Sequence, residues 1–366
     1  MTITPRSLPE LVVNFHRLPP LLNKLFEMRR LSAEAVLSPE LFAKYKAPSC
    51  QEVIYVRNRH TEDVCVFNPN RSRKPQSFRR KAETLEKGNT DACDFCQYER
   101  GTAEDTFGRI EGKFVTTASN LFKYIAPYQA VAFLKQKHDL LDFSLAEFRD
   151  YLDVSARWFR AADADWRGKG GDDGALKPLI VWNGGERSGA SQGHSHIQLL
   201  YSAYSFPDQA RLEKVMREYN SLAGDYYADL VEAHSDIGLS HRLESAAIFV
   251  SLLPLKNRDM VVVGERGIED EAFQTLLFCG LRTLIDELGS SSFNLGIYSG
   301  KAEVAGTSNE LTDGRVIGRI VSRGQAGSTS VASDFGGLEV FAGASIGSDC
   351  PFTVKQALDR QLKKYV

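Results

Sequence analysis

The stretch "NGGERSGASQGHSHIQLL", residues 183–200, decides the reading of this 366-residue chain. It places two of the seven histidines at positions 194 and 196, after a turn of small residues and before an apolar run. Side chains two apart on a strand share a face, so His194, His196 and Gln198 are expected to line one side of a strand. Two chemistries fit: the histidines bind a metal, or one of them attacks phosphorus while Ser191 and the turn amides hold phosphate oxygens. An imidazole serves as nucleophile when a hydrogen bond to its other nitrogen fixes the tautomer. Gln198 can donate to a phosphoryl oxygen but cannot readily protonate a leaving group, which suits a covalent intermediate that waits for a second acceptor.

A metal half-site lies upstream. Cys93 and Cys96 in "CDFC" are separated by two residues, the spacing at which a tight turn brings two thiolates onto one ion. As a redox pair they would need a thioredoxin-like context, which the surrounding sequence lacks. His138 in "LKQKHDLL" makes a Cys2His2 set with Cys93, Cys96 and His194 chemically available. The alternative at this point is a surface histidine and unpaired thiols.

Outward from these motifs, residues 1–48 carry apolar residues at three- and four-residue spacing and are expected to form an N-terminal helical extension. "EVIYVRNRHTEDVCVFNPN" reads as two short strands before a basic cluster that includes Arg71 and Arg73, either a solvated loop or one facing phosphate. The order strand, strand, helix, strand, strand runs from "FVTTA" to "HIQLL" and again from "AAIFV" to "IGRIVSR", which suggests an internal duplication. Ser144 and Glu147 form a capping-box signature at the start of the first long helix. "GGLEVFAG" reads as a further strand, and His234 and His241 as loop residues between the halves. The fold class is therefore α+β: two tandem halves of antiparallel sheet with packed helices, at 49–225 and 226–366.

Composition closes off other classes. The net charge of -2 gives no nucleic-acid or membrane surface. No run of eighteen apolar residues occurs and the N-terminus lacks a secretory apolar core. Six scattered cysteines in 366 residues are too sparse for a disulfide scaffold. A cytoplasmic setting is expected.

"NGGERSGASQGHSHIQ" resembles the active-site signature of the galactose-1-phosphate uridylyltransferase branch of the histidine-triad superfamily. "NPNRSRKP", "CDFC", "TASNLF", "KQKHDLLDFSLAEF" and "GGLEVFAG" resemble further segments of that branch, in the same order, over roughly residues 55–350. The resemblance implies two HIT-like halves and a structural zinc on Cys93, Cys96, His138 and His194. It implies His196 as the nucleophile that takes a nucleoside monophosphate, with Gln198 stabilising the adduct. Ser191 and Gly189 would bind phosphate, Asn183 would orient His196 or the phosphate, and Asn120 would contact ribose. Arg71 and Arg73 would lie near the phosphates and Glu339 would face sugar hydroxyls. The implied partners are a nucleotide sugar and a phosphate-bearing acceptor, and a homodimer fits the family although no stretch marks a partner surface. Some members hold a second metal through C-terminal histidines. Here Ile317 and Arg319 stand in those places, so no second metal is expected. The rival readings are a nucleotide-sugar or dinucleoside-polyphosphate phosphorylase, a hydrolase of the same fold, a metal-dependent hydrolase working through His194 and His196, and a non-catalytic zinc-stabilised nucleotide-binding protein.

Overall fold

A computed structural model describes residues 5–46, 48–73, 93–139, 141–174, 176–190, 192–300, 311–312, 314–324 and 337–366. Helices α1 (Leu8–Val13) and α2 (Pro20–Leu25) lead into β1 (Phe26–Glu34), α3 (Pro39–Tyr45), β2 (Cys50–Asn58) and β3 (Val64–Phe67). The first half continues with α4 (Tyr98–Gly101), β4 (Val115–Ser119), β5 (Pro127–Leu134), α5 (Leu145–Gly168), β6 (Lys177–Gly184) and β7 (His196–Ser202). Helices α6 (Pro207–Ala223) and α7 (Tyr226–Asp236) and strand β8 (Ser240–Leu243) bridge to the second half. That half comprises β9 (Ala246–Val250), β10 (Met260–Gly264), α8 (Glu271–Arg282), β11 (Phe293–Ser299) and β12 (Val316–Ser322). The chain closes with α9 (Gly337–Ala342), β13 (Ala344–Gly347) and α10 (Pro351–Leu362).

The duplicated order is a structural fact. One nine-stranded sheet runs β4-β5-β7-β6-β11-β12-β10-β9-β8. Apart from β8 the two halves mirror each other across the antiparallel pair β6–β11, where Asn183 faces Asn294 and Trp182 faces Leu295. Alternation then sorts the side chains. Trp182, Ile197, Leu295 and Ile320 point to the face covered by α5 and α8, where they pack with Phe148, Tyr151 and Phe278. Each fully buried apolar side chain of this layer contributes roughly 2 kcal/mol. Helix α5 starts at the expected box: the Ser144 hydroxyl accepts the Glu147 N–H at 3.3 Å, and the Glu147 carboxylate accepts the Ser144 N–H at 2.7 Å.

On the opposite face, Phe249, Val261, Val263 and Ile317 of the second half meet Leu22, Leu25, Phe26, Tyr226 and Val231. In the first half, Val131 and Phe133 meet Phe95 and Tyr98. Between these two covers the same face carries His196, Gln198, Asn183 and Asn294.

Three readings from sequence are corrected. Residues 26–34 are a strand, not helix, and pair along their whole length with β2. A nine-residue antiparallel partner outweighs the weak helical spacing of that segment. "GLEVFA" is the short helix α9. The strand pairing goes instead to the next segment, β13, which runs parallel to β3. His234 lies on α7 and is buried, its Nδ1–H donating to the Leu230 carbonyl at 2.7 Å, and His241 lies on β8. Both are parts of regular elements rather than loop residues.

Candidate active site and metal centre

Strand β7 begins at His196, so His194 sits in the bend just before it rather than on the strand itself. That bend turns the two histidines to different tasks. The Nδ1 of His194 lies 3.6 Å from the sulfurs of both Cys93 and Cys96, and the Nδ1 of His138 lies 3.5 Å from the Cys96 sulfur. All four ligand atoms fall within 4.8 Å of one another. With Zn–S near 2.3 Å and Zn–N near 2.0–2.1 Å, a tetrahedral zinc sets sulfur and nitrogen about 3.6 Å apart. The donor set and its spacing fit that ion.

The surroundings agree with the fit. The buried Nε2–H of His194 donates to the Leu134 carbonyl at 2.8 Å, which leaves Nδ1 as the lone-pair nitrogen facing the thiols. Burial holds the His194 ring neutral, its pKa pushed down to about 4. Burial, with Cys93 alongside, pushes the Cys96 thiol up to about 11, so a thiolate there calls for a cation.

His196 stands at the root of this cluster. Its Nδ1–H donates to the His194 carbonyl at 2.9 Å. The tautomer is thereby set with the lone pair on Nε2, which no hydrogen bond among the described residues engages. Burial lowers its pKa as well, so the ring is neutral at pH 7 and its Nε2 lone pair is available. Phe95, from within the Cys-x-x-Cys turn, stacks on Phe133 at 4.6 Å and lies 5.3 Å from the His196 ring. The Cys-x-x-Cys turn thus packs directly against the His196 ring.

Two carboxamides share the face of His196. Gln198 follows on β7, half-buried. Asn183 is the next-to-last residue of β6 on the adjacent strand, one position beyond the Trp182–Ile197 pairing. Between β6 and β7 the chain makes the turn Glu186–Ser188, flanked by Gly185 at φ 88° and Gly189 at φ 89°. A side chain at Gly185 would also meet the Ser291 carbonyl at 2.2 Å, so that position admits only glycine. Ser191 lies outside the described residues.

The other expected site residues fall at varying distance from this cluster. Asn120 opens the loop after β4, and its side chain accepts the Phe122 N–H at 2.9 Å. Arg71, exposed, and Arg73 belong to the turn Pro69–Arg73 that follows β3, which lies in a separate four-stranded sheet of order β1-β2-β3-β13. Glu339 does not stand on a strand. It lies on α9, where its carboxylate takes the Lys256 ammonium at 2.6 Å, their side chains 12% and 9% exposed. Arg319 is paired with the fully buried Asp259 at 2.6 Å.

Several residues at the site were not found from sequence. Tyr124 donates its phenol hydrogen to the Gln198 carbonyl oxygen. The Nδ2 of Asn294 donates to the Asn183 side-chain oxygen at 2.7 Å and to the Ser188 carbonyl at 3.0 Å, while Arg323 donates to Asn294 Oδ1 at 2.8 Å. Buried Tyr151 on α5 donates to the Ser195 carbonyl at 3.1 Å and accepts the Leu134 N–H at 3.2 Å. Asn183 stands near the end of β6 and Asn294 near the start of β11, so they are not equivalent positions of the repeat, and only the antiparallel register brings them face to face.

No protein-family model matches the sequence, and no curated protein matches it. Solved structures do. An ADP-glucose phosphorylase from Arabidopsis thaliana with bound ADP-glucose aligns at TM-score 0.62 and 17% identity, over 84% of this chain and 98% of that one. A GalT-like protein from Arabidopsis thaliana aligns at TM-score 0.59 and 17% identity over the same shares. A uridylyltransferase aligns at TM-score 0.57 and 15% identity, over 85% of this chain and 98% of that one. The chain therefore has the fold of these proteins, as the resemblance in its motifs implied. No helix among the described residues is long and apolar enough to cross a membrane.

Proposed function

We propose that the chain is a nucleotidyltransferase that carries a nucleoside monophosphate on Nε2 of His196, taken from a nucleoside diphosphate sugar and passed to a phosphate-bearing acceptor. The observation that carries this reading is the Nδ1–H bond to the His194 carbonyl, which presents a neutral, lone-pair Nε2 beside two carboxamides. In the first step Nε2 forms a bond to the α-phosphorus. The bond from that phosphorus to the bridging oxygen breaks, and the sugar 1-phosphate leaves with the electron pair. Such a leaving group needs no proton at neutral pH, consistent with Gln198 in place of an acid. In the second step an acceptor phosphate oxygen attacks the same phosphorus and the P–N bond breaks, restoring the neutral imidazole.

Asn183 and Gln198 donate to the phosphoryl oxygens as charge develops on them, and the turn amides around Gly189, with Ser191, complete the cradle. Asn120 meets the ribose and Arg71 and Arg73 the outer phosphates. Cys93, Cys96, His138 and His194 would hold a structural zinc, whose four protein ligands leave no open position for water. Through His194 those residues fix the carbonyl that sets the tautomer of His196.

A second reading has its own support. One protein of this fold is an ADP-glucose phosphorylase, so inorganic phosphate is the natural first acceptor to try. The test is isotope exchange. A ping-pong enzyme moves radiolabel from free sugar 1-phosphate into unlabelled nucleotide sugar with no acceptor present. Exchange in wild type and none in His196→Ala supports the covalent route. Turnover that needs acceptor and donor together, with no exchange, rejects it.

A further inference from the structure

The two carboxamides beside His196 are not left to choose their own orientation. An amide side chain offers an oxygen that repels an anion and an NH2 that attracts one, so which end faces the site decides its value there. The Gln198 oxygen is occupied by the phenol of Tyr124, from the loop after β4. The Asn183 oxygen is occupied by the amide of Asn294, from β11 of the second half. In each case the NH2 group has no protein partner among the described residues.

Resting on the transfer reading above, we propose that Tyr124 and Asn294 are positioning residues that lock Gln198 and Asn183 with their NH2 groups toward the phosphoryl group. Both locks are themselves held. The Tyr124 and Ile125 N–H groups donate to the buried Gln129 side-chain oxygen at 2.8 and 3.0 Å, which pins the loop that presents the phenol. A phenol is protonated at neutral pH, so it stays a donor. The Asn294 amide cannot invert without cost, because its oxygen accepts from Arg323 and its NH2 also donates to the Ser188 carbonyl. A guanidinium has only donors, so it dictates which end of Asn294 it meets. The order of dictation runs Arg323, Asn294, Asn183, phosphate. In this way the second half of the duplicated sheet sets an anion donor in the first.

The two locks can be removed separately. Tyr124 is 64% exposed, so Tyr124→Phe leaves the core untouched. Asn294→Asp is isosteric but replaces the donor with an acceptor, which turns the Asn183 NH2 away from the site. The probe is inorganic phosphate, followed by the side-chain NH2 resonances of Gln198 and Asn183, assigned by their loss in Gln198→Ala and Asn183→Ala. In wild type both pairs shift as phosphate is added. In Tyr124→Phe the Gln198 pair loses its response, and in Asn294→Asp the Asn183 pair does. Single-turnover labelling of His196 falls on the order of tenfold in Tyr124→Phe and on the order of a hundredfold in Asn294→Asp. Adding Tyr124→Phe to Gln198→Ala costs nothing further, whereas a merely structural role would make the two losses add. Wild-type shifts in both variants, or a wild type whose amides ignore phosphate, overturns the lock. If no nucleotide sugar labels the wild type while the amide shifts behave as stated, the transfer reading fails and the lock stands.

Discussion

Tyr151→Phe removes one oxygen from the interior and leaves the ring, which packs 5.4 Å from Trp182, in place. That oxygen is fully buried and joins helix α5 to β5 and to the bend that carries the two histidines into β7. It accepts the N–H of Leu134, whose carbonyl receives His194 Nε2–H, and it donates to the carbonyl of Ser195, between the two histidines. Two hydrogen bonds at about 1 kcal/mol net each set a lower figure of about 2 kcal/mol. The stranded Leu134 N–H and Ser195 C=O are shut off from water, which raises the loss toward about 4 kcal/mol. With an unfolding entropy of roughly 2.1 cal/mol/K per residue, that is a fall in Tm of roughly 3–5 °C for a chain of this size. The assay is urea and thermal unfolding of zinc-loaded wild type and variant, paired with the single-turnover rate of His196 labelling. The rate is expected to fall several-fold, since the strut fixes the backbone on both sides of Ser195. A variant as stable as wild type, with an unchanged rate, would refute the argument that α5 holds the histidines through this oxygen.

Three further outcomes follow from the same geometry. Metal analysis of purified protein should find one zinc per chain, and Cys96→Ser or His138→Ala should lose it together with His196 labelling; a zinc-free protein of full activity would break the link between metal and nucleophile. The labelling rate should stay flat above pH 7 and decline on acidification only below the ordinary imidazole range, because burial lowers the His196 pKa and the neutral ring is the reactive form; a rate that rises as pH falls through 6 contradicts this. His234 contributes to acid sensitivity of the fold. Burial pushes its pKa down from 6.5 to about 4, so the unfolded chain takes up the proton first and the stability it confers is full above 6.5 and drains as pH falls toward 4. The unfolding free-energy gap between wild type and His234→Gln should narrow by about 2 kcal/mol from pH 7 to pH 5; an equal gap at both pH values would show that His234 is not held neutral.

What the sequence disclosed follows the range of each interaction. The strand-helix-strand order of both halves, the Ser144–Glu147 box and the Cys-x-x-Cys turn are local patterns, and each appears where the sequence put it. His138 and His194 are available as partners of the cysteines by residue type, the resemblance implies them, and the chain brings all four together. Strand β1 was missed because its partner lies across a helix-bearing connection, and pairing across that distance leaves no periodic trace. Helix α9 reads as strand in the sequence because a run as short as Leu338-Glu339-Val340-Phe341, with one polar residue among apolar ones, suits either state. Tyr124, Asn294 and Tyr151 escaped for one reason: each acts on the site through a contact between strands or layers that only the folded register creates. His194 shows the finer limit, since the two-residue alternation assigned it to the face of His196 while one bend before β7 delivers it to the metal.

The most direct test of the central claim is the intact mass of the protein after incubation with a panel of nucleoside diphosphate sugars, without acceptor and quenched at alkaline pH. A gain of one nucleoside monophosphate in wild type and none in His196→Ala is the expected result, and the mass itself names the base. No gain with any donor in folded, zinc-loaded protein, or an equal gain in His196→Ala, would contradict a covalent intermediate on His196.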